Sequence, residues 1–473
     1  MIDHMEGRGL DRISGLPDDL LQEILLRLRS LPAAARTSLL SRRWRRVWTG
    51  LPELVLAGFH APSTFLRAVN GTLAAYSAPT VSALTITVPE VEGFHVPYCP
   101  TAAWLRFASR RVAGTFSLTL TNFPSPVTIN ALKLPPCGRA TSITLSLDWF
   151  TLRLRPLGSF PALTVLTIQW AVVDAQELGE LISSMCPRLT DLTLRVQPLT
   201  DRAVSVCSTS LKRLKFQLNE SACPLEVVAP VLEVFVLGCP FIEAHISAPK
   251  LAEANVPGLN RCHFADDVPR RLRRLQTTRY YGDGTPPLSP LKMRRFDAVD
   301  ELRLRVCIEV EGYSNFLDDL DKLPMCETLS ANVTGRHYGY FPSMPLLLRM
   351  RNSLRKLVLE IYEMKNICLL DCPCRLTASH QADNSTLDSL EEIEIRSFKG
   401  TDDHVEFLKL LLSKCSPTKL INVEINISYI YEPYLDLPAP IEEVVDKVRA
   451  ICRPNLKVRV HITSNNGISE IVL

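Results

Sequence analysis

One short apolar pattern recurs through most of this 473-residue chain and restricts the folds that it can adopt. The pattern is an apolar residue, two further residues, a second apolar residue, one further residue and a third apolar residue. Successive copies start about 19 to 32 residues apart as far as residue 251, and then recur less regularly as far as residue 420. The copies are Val81/Leu84/Ile86, Ala113/Phe116/Leu118, Ala140/Ile143/Leu145, Leu163/Leu166/Ile168, Leu189/Leu192/Leu194, Leu211/Leu214/Phe216, Leu232/Phe235/Leu237, Leu251/Ala254/Val256, Val299/Leu302/Leu304, Leu354/Leu357/Leu359, Leu390/Ile393/Ile395 and Leu420/Val423/Ile425. A period of this length indicates that one small structural unit is repeated along the chain.

Each copy of the pattern predicts a β-strand that turns alternate side chains to one face. A unit of about 25 residues cannot bury that face alone, so neighbouring units must stack and share one core. We therefore predict an α/β leucine-rich-repeat solenoid, with parallel strands on the concave face and helices and loops on the convex face. A non-solenoid α/β arrangement stays open, because βαβ units also alternate strand and helix.

Two amphipathic helices are predicted near the N-terminus, over residues 16–28 and 38–48. The first has apolar residues at helical spacing, namely Leu20, Leu21, Ile24, Leu25 and Leu28. The second places Trp44 and Trp48 among arginines. A unit of about 40 residues buries only a small core and usually needs a metal, a disulfide or a partner. Because no cysteine precedes Cys99, we predict a partner for these helices.

Several short motifs lie within and around these two helices. They are Asp11-Arg12-Ile13-Ser14, Leu16-Pro17-Asp18, Ile24-Leu25, Arg36-Thr37-Ser38, Leu40-Ser41-Arg42-Arg43-Trp44, Trp48 and Leu51-Pro52. Together they resemble the F-box of plant F-box proteins, over about residues 11–56. The resemblance implies a three-helix module that docks on a Skp-family adaptor and through it joins a cullin-based (SCF) ubiquitin ligase.

The resemblance also implies a set of adaptor-facing residues. They are Leu16, Pro17, Leu20, Ile24, Leu28, Leu39, Trp44 and Trp48. Some of them must also hold the three helices to each other. The alternative is that the apolar stripe packs on the following domain and binds nothing.

A connecting helix is predicted between two repeats, from Asp174 to Met185. Asp174 and Glu177 resemble a capping box, and Cys186-Pro187 stops the helix before the next strand. The apolar stripe of this helix consists of Leu178, Leu181, Ile182 and Met185. The Cys-Pro-x-Leu-x-x-Leu-x-Leu junction that follows resembles the repeats of F-box/leucine-rich-repeat proteins.

The C-terminal part carries a second resemblance. Residues 390–417 predict a strand, a turn at Gly400 and a helix whose inward residues are Val405, Leu408, Leu411 and Leu412. This segment resembles the FBD region at the end of many plant F-box proteins. A helix over residues 441–451 and a strand over residues 456–462 are predicted to finish the chain and to cover the last open edge of the solenoid. The predicted regions are a disordered N-terminus at 1–10, the F-box at 11–56, leucine-rich repeats at 60–389 and FBD-like C-terminal repeats with a cap at 390–473.

Two loops are predicted within the later repeats. Residues 280–287 follow the basic segment 270–275 and are rich in Gly and Pro, which favours a simple insertion over a ligand-facing element. Residues 334–345 contain four aromatic rings, His337, Tyr338, Tyr340 and Phe341. Such rings suit recognition of a partner, and they equally suit folding back over a repeat edge.

The charge distribution bears on the partners of the chain. Residues 1–50 hold nine of the 53 basic and six of the 50 acidic side chains, so the net charge of +3 lies there and the remainder is neutral. This balance predicts no nucleic-acid partner. No apolar run approaches the roughly 18 residues of a membrane span, and the first residues lack the apolar core of a secretory signal. We therefore expect no membrane partner, a location in the cytoplasm or the nucleus, and reduced thiols for the 14 cysteines.

The chain shows no motif that predicts catalysis. Cys368, Cys372, Cys374 and His380 lie near one another in the sequence, but their C-x-C spacing departs from that of common zinc pairs. His404 and Glu406 form an H-x-E motif without the P-C-x-x-C of a deaminase. Phosphate-binding glycine loops, metalloprotease helices and nucleophile elbows are missing from the sequence. We predict no catalytic residue, no bound metal, no cofactor and no enzymatic activity.

The leading functional hypothesis is a non-catalytic specificity subunit of an SCF-type ubiquitin ligase. The F-box would bind the Skp-family adaptor, and the repeats would bind a target protein whose identity and contact residues the sequence does not give. A second hypothesis is a receptor that needs a small molecule to bind its target. A third is an F-box interaction scaffold that causes no ubiquitination.

Overall fold

The structure is a computed structural model that divides the chain into two compact units, Met1–Pro230 and Val231–Leu473. It describes residues 15–27, 42–91, 94, 96–120, 131–155, 158–218, 223–239, 242–257, 261–281, 296–308, 315, 323–335, 354–361, 386–428, 440–454, 456–464 and 467–473. The predicted disordered N-terminus, residues 1–10, lies outside the described residues. The predicted domain boundaries stay a prediction.

The described part of the chain contains both helices and strands, as the sequence predicts. The helices are α1 (Asp18–Arg27), α2 (Arg42–Trp48), α3 (Pro62–Ala75), α4 (Tyr98–Arg111), α5 (Ala175–Glu180), α6 (Asp402–Lys414) and α7 (Ile441–Ile451), and a π-helical turn at Leu181–Met185 continues α5. The strands of the first unit are β1 (Glu53–Leu56), β2 (Val81–Thr87), β3 (Val112–Thr119), β4 (Leu132–Lys133), β5 (Ser142–Ser146), β6 (Thr151–Arg153), β7 (Val165–Val173), β8 (Asp191–Pro198), β9 (Val204–Cys207), β10 (Arg213–Leu218) and β11 (Leu225–Val228). The strands of the second unit are β12 (Val234–Leu237), β13 (Ala244–Ser247), β14 (Glu253–Asn255), β15 (Cys262–Phe264), β16 (Arg271–Tyr281), β17 (Ala298–Ile308), β18 (Met325–Gly335), β19 (Lys356–Ile361), β20 (Glu392–Arg396), β21 (Asn422–Ser428), β22 (Lys457–Ser464) and β23 (Gly467–Val472). Among the described helices, none is long and apolar enough to cross a membrane.

In the first unit, parallel strands follow one another in the order β1, β2, β3, β5, β7, β8 and β10. Their register aligns the middle apolar residue of each copy of the sequence pattern. The aligned row is Leu84, Phe116, Ile143, Leu166, Leu192 and Leu214. All six side chains are buried, so equivalent positions of successive repeats form one continuous apolar core.

The second unit repeats this arrangement. Parallel strands follow in the order β12, β14, β16, β17, β18, β19, β20, β21 and β22. The aligned buried row is Phe235, Ala254, Leu275, Leu302, Leu329, Leu357, Ile393, Val423 and Val458. Residues 271–275 of the basic segment are therefore part of a regular repeat strand, and Tyr280 and Tyr281 continue that strand rather than opening a loop.

Every member of the twelve copies of the sequence pattern is buried except Ala113. At this position the prediction is wrong by one residue, because the pairing of β2 with β3 shifts register between Val81 and Ala83. The shift turns Val112 into the core and leaves Ala113 exposed. A side chain at the next residue, Gly114, would meet the Ser82 carbonyl oxygen, so the strands approach closely there.

Within the described residues, some connections between the main strands contain short β-strands where the sequence predicts helices and loops. In the first unit, the short strands β9 and β11 occupy two connections and pair in parallel with each other. In the second unit, β13 and β15 do the same. The prediction of helices and loops in these connections is wrong because segments of three or four residues are enough to pair as strands, while a helix needs more chain to bury a face.

The predicted connecting helix is present as α5 and the π-helical turn. The Asp174 side chain accepts a hydrogen bond from the Glu177 backbone N–H at 3.0 Å, as an N-cap should. Glu177 does not complete a capping box. Its carboxylate instead accepts from the backbone N–H of Leu154 at 2.8 Å and pairs with Arg153 at 3.3 Å, which fastens the helix to β6.

The C-terminal elements agree with the sequence except at their end. Thr401 caps α6, Gly400 adopts a φ of +71° in the preceding turn, and Leu408, Leu411 and Leu412 are buried while Val405 is half-buried. The prediction that the strand over residues 456–462 finishes the chain is wrong. A further strand, β23, pairs antiparallel with β22.

Some predicted features lie outside the described residues. They are the Cys368, Cys372, Cys374 and His380 cluster and most of the 280–287 and 334–345 segments, including all four aromatic rings of the second. The cysteines in the described part of the chain are all free thiols. Burial raises the pKa of Cys137, Cys186, Cys326 and Cys415 to about 12, so these thiols stay protonated and unreactive at neutral pH.

Candidate functional site

Helix α1 has one buried and one exposed apolar face. Leu21 and Leu25 are 0% and 2% exposed, whereas Leu20 and Ile24 are 45% and 40% exposed. The two pairs have the same i, i+4 spacing and lie on adjacent sides of the helix. Leu16, half-buried, lies one turn before Leu20, so an apolar stripe on α1 faces outwards.

Contacts with α2 fix the orientation of α1. The Arg43 guanidinium donates to the Asp18 carboxylate at 2.8 Å and also to the Leu16 carbonyl oxygen. The Gln22 side chain donates a hydrogen bond at 3.4 Å to the carbonyl oxygen of Gly50, which lies in the turn that follows α2. Together with the buried side chains of Leu21 and Leu25, these polar contacts fix which face of α1 is exposed.

The eight residues predicted to face an adaptor occupy different environments. Pro17, Leu20 and Ile24 are exposed, and Leu16 and Trp48 are half-buried. Trp44 differs from the expectation, because only 7% of it is exposed and this chain already covers most of its surface. Leu28 and Leu39 lie outside the described residues. We therefore define the α1 stripe as Leu16, Pro17, Leu20 and Ile24.

A second candidate surface in the first unit combines two tryptophans and an arginine. The rings of Trp149 and Trp170 meet edge to face, with centroids 5.3 Å apart and planes at 76°. The Cζ atom of Arg195 lies 3.4 Å from the centroid of the Trp170 ring. All three side chains are half-buried on the side of the sheet away from the core. We call this group the tryptophan cluster.

Unusual backbone geometry positions the tryptophan cluster. The pairing of β7 with β8 shifts register between Gln169 and Ala171, and Trp170 bulges out of the strand with a φ of +53°. Trp149, in the turn after β5, has a φ of +67° and donates its backbone N–H to the Trp170 carbonyl oxygen. A positive φ costs a residue with a Cβ about 1 to 2 kcal/mol. Such strain persists only where the surrounding contacts fix it, and it is concentrated at functional sites.

The chemistry of this cluster suits protein recognition. Trp and Arg are enriched among the residues that carry most of the binding energy at protein interfaces. The Arg195 Nε atom is buried and has no hydrogen-bond partner among the described residues, although the guanidinium lies over the indole. Sequence reasoning missed the cluster, because the bulge that brings Trp170 to the surface has no recognisable motif. The only signal was that two of the five tryptophans lie at repeat strands rather than within a predicted helix.

In the second unit, the solvent side of the sheet carries a network of ion pairs. Glu301 accepts from Arg274 at 2.6 Å and from Arg303 at 2.5 Å, and Arg274 also bonds to Glu253 at 3.1 Å. Arg273 pairs with the same Glu253. Further pairs along the strands join Arg271 to Asp300, Lys356 to Glu392, Arg396 to Glu394 and Arg459 to Glu424.

The ion-pair network shifts the pKa values of Glu301 and Arg274. Burial opposes ionisation of Glu301, but the hydrogen bonds from Arg274 and Arg303 outweigh it and lower the pKa of this carboxyl. The hydrogen bond from Glu301 raises the pKa of Arg274. Both signs of charge alternate across the strands, so this surface offers donors and acceptors without a strong net field. Exposed ion pairs contribute about 0 to 1 kcal/mol each, so they serve specificity more than stability.

Comparison with known proteins gives these surfaces a context. The sequence model of the F-box domain matches residues 13–56, which include α1 and α2. An F-box protein of Arabidopsis thaliana is 30% identical over 228 residues, which are 47% of this chain and 68% of the relative. An F-box/FBD/LRR-repeat protein of the same organism is 31% identical over 222 residues, 46% of this chain and 49% of the relative. An F-box/LRR-repeat protein, also from this plant, is 26% identical over 439 residues, 88% of this chain and 93% of the relative.

These matches agree with the local structure. The F-box match contains the whole α1 stripe, and the last of the three matches is long enough to extend into both units. The chain spans about half the length of the F-box/FBD/LRR-repeat relative. On this evidence, the chain belongs to the family of plant F-box proteins, and within that family it is similar to F-box/LRR-repeat and F-box/FBD/LRR-repeat members.

Proposed function

We propose that this protein is a substrate-recognition subunit of an SCF-type ubiquitin ligase, without catalytic activity of its own. Its F-box docks on a Skp-family adaptor and through it on a cullin, in the cytoplasm or the nucleus. Its repeats bind a target protein. The contribution of this subunit is proximity, because a bound target presents its lysines at high effective concentration to the ubiquitin-conjugating enzyme.

The α1 stripe is the observation that carries the adaptor half of the proposal. Leu20 and Ile24 lie within the F-box match, and each leaves two-fifths or more of its surface uncovered by this chain. Exposed leucine and isoleucine at i, i+4 spacing form the kind of helix face that enters an apolar groove of a partner. Covering the exposed part of each side chain gains about 0.6 to 1.4 kcal/mol, since full burial is worth about 1.5 to 3 kcal/mol and 40 to 45% of each residue is still uncovered.

The proposal includes two architectural features. We propose that the F-box is a three-helix module and that Leu28 and Leu39, which lie outside the described residues, also face the adaptor. The parallel strands form a leucine-rich-repeat solenoid, supported by the aligned buried rows within each unit.

Two surfaces are proposed to contact the target. The tryptophan cluster supplies large rings and a cation, which suit a central contact. The ion-pair network of the second unit supplies a polar surface that selects among partners by charge. Each surface lies on the side of its sheet that the apolar rows leave open.

Adaptor binding can be tested with purified full-length protein and a Skp-family adaptor. Replacing Leu20 and Ile24 together by Ala is expected to weaken binding by about 1 to 3 kcal/mol, roughly 5- to 150-fold in Kd. A matched control is Ile421→Ala, because Ile421 is 63% exposed but lies in the second unit, far in sequence from the F-box. Equal adaptor affinity for the double variant and the wild type would refute the assignment of the α1 stripe.

The ligase role requires a second experiment. Proximity labelling in plant cells compares the wild type with a chain that lacks residues 11–50. Ligase subunits should disappear from the labelled set of the deletion variant, while target proteins persist. Adaptor binding without cullin-dependent ubiquitination of any labelled target would contradict the ligase role, and ubiquitination that occurs only with an added small molecule would contradict direct target binding.

A further inference from the structure

Two histidines and a glutamate meet on the surface of the second unit. Glu243 lies directly before β13, His245 lies on β13 and His263 lies on β15. The side-chain period of a strand puts Glu243 and His245 on one face, two residues apart. The parallel register pairs His245 with His263, so the third side chain joins the same face. The opposite face is apolar, since Ala244 and Cys262 are buried.

The donor atoms of this triad lie close together. The Glu243 Oε1 atom is 3.3 Å from His263 Nε2 and 3.6 Å from His245 Nε2. All three donor atoms lie within 4.8 Å of one another. The two imidazole rings are stacked, with centroids 4.6 Å apart and planes at 9°.

We propose that Glu243, His245 and His263 form a binding site for a divalent transition metal, with Zn²⁺ as the expected ion. Zinc binds imidazole nitrogen at about 2.0 to 2.1 Å and carboxylate oxygen at about 2.0 to 2.2 Å, so tetrahedral ligands lie about 3.3 to 3.5 Å apart. The separations of 3.3 and 3.6 Å between the carboxylate oxygen and the two imidazole nitrogens lie close to this range. Because the two rings are nearly parallel, their in-plane Nε2 lone pairs do not yet point at one position, and metal binding requires one of the two partly exposed rings to rotate about χ2.

The donor set selects the class of metal. Mg²⁺ and Ca²⁺ prefer oxygen ligands only, whereas two imidazoles and one carboxylate suit Zn²⁺, and also Cu²⁺ and Ni²⁺. Three protein ligands leave a fourth position for water or for a side chain of a bound protein. Since the triad is about half exposed, an incoming His, Cys or carboxylate of a partner can reach that position.

The sequence contains a signal for this site that is clear only in hindsight. Glu243 and His245 form an E-x-H motif, and His263 stands at the equivalent position of the next short strand, one repeat later. The distance of 18 residues between the histidines differs from that of common zinc motifs. Only the repeat register brings them together.

The site can be tested by treating full-length protein with a chelator and then titrating it with ZnCl₂ in an isothermal titration calorimeter. The wild type is expected to bind one Zn²⁺ more per chain than the His245→Ala/His263→Ala variant. Glu243→Gln should weaken that additional site by roughly tenfold or more. Any Zn²⁺ bound by thiols elsewhere is common to all these proteins and cancels in the comparison. The matched control His461→Ala removes a half-buried histidine of β22 and should bind as much Zn²⁺ as the wild type.

A second measurement uses the wild type alone and so does not depend on how a variant folds. Diethyl pyrocarbonate modifies accessible histidines, and mass spectrometry identifies the modified residues. Zn²⁺ should protect His245 and His263 and leave the modification of His461 unchanged. Equal Zn²⁺ stoichiometry in the wild type and the double variant, or unaltered modification of His245 and His263, would overturn the proposal.

Discussion

The Nδ1 atom of His404 accepts a hydrogen bond from the backbone N–H of Lys399 at 3.0 Å. This contact closes the turn between β20 and α6, and His404 is 2% exposed. Burial, together with the charge of Lys399, lowers the pKa of the imidazole from 6.5 to about 4. The folded protein therefore holds His404 neutral at every physiological pH.

The first prediction concerns the pH dependence of stability. Between pH 6.5 and about 4 the unfolded chain binds a proton at His404 that the folded chain rejects, so stability is complete above pH 6.5 and falls as the pH falls through this window. The shift corresponds to about 3 kcal/mol. Urea denaturation followed by circular dichroism at several pH values measures the slope.

His404→Asn is the informative variant for this prediction. Its Oδ1 atom can accept the same backbone hydrogen bond but does not titrate, so the variant should lose less stability than the wild type between pH 6.5 and 4. His60→Asn, at an exposed position, controls for the loss of an imidazole as such. If the free energy of unfolding of His404→Asn fell between pH 6.5 and 4 by as much as that of the wild type, this would contradict the role of His404.

The second prediction concerns Gly400, in the same turn. Its φ of +71° suits glycine, and a Cβ atom there would collide with the Val444 side chain of α7. Gly400→Ala is expected to destabilise the protein by about 1 to 3 kcal/mol, measured by urea denaturation. Gly71→Ala is the matched control, because Gly71 lies inside α3 with open space around it, and helix propensity predicts a gain of about 0.5 to 1 kcal/mol. The two substitutions should thus act in opposite directions.

The third prediction separates folding from adaptor binding in the F-box. Trp44→Ala should destabilise the packing of α1 on α2 by about 3 to 5 kcal/mol, because this side chain is buried. Ile24→Ala should change stability by only about 0.5 kcal/mol, because Ile24 is exposed. Hydrogen exchange of the α1 amides measures both effects. Faster exchange in Ile24→Ala than in Trp44→Ala would reverse the assignment of inner and outer faces.

The fourth prediction concerns the tryptophan cluster. Trp170→Ala removes the ring that contacts both Trp149 and Arg195, so it should remove target proteins from the proximity-labelled set while the ligase subunits remain. Leu199→Ala controls for the loss of an exposed apolar side chain in the same unit, since Leu199 is 43% exposed. An unchanged set of labelled proteins in Trp170→Ala would exclude the cluster as a target contact.

The repeat pattern made the main strands predictable from the sequence. An inward position such as Leu166 or Leu302 follows from period-2 alternation, and stacking of identical units then dictates parallel pairing. The pattern failed at Ala113, because a register shift depends on the close approach of two backbones and not on hydrophobicity. The short strands β13 and β15 were missed because three or four residues carry too little periodicity.

The candidate surfaces were only partly predictable. Helical spacing predicted that Leu20, Leu21, Ile24 and Leu25 form one broad apolar face of a helix. It did not predict which pair faces outwards, because that depends on where α2 packs. Trp44 was assigned to the adaptor surface by resemblance and lies in the core instead. The tryptophan cluster and the Glu243 triad depend on contacts between strands, which a linear reading does not contain.

The antiparallel pairing of β23 with β22 has a consequence for solubility. An unpaired strand edge presents backbone N–H and C=O groups that can bind another strand. At β22 these groups pair with β23 instead. A chain shortened to end at residue 466 should expose this hydrogen-bonding edge beside the buried Val458 and Val460. We expect such a chain to associate edge to edge with further copies, which light scattering would detect as a rising particle mass with concentration. Pairing of β23 with β22 would then prevent strand pairing between the repeat sheets of different molecules.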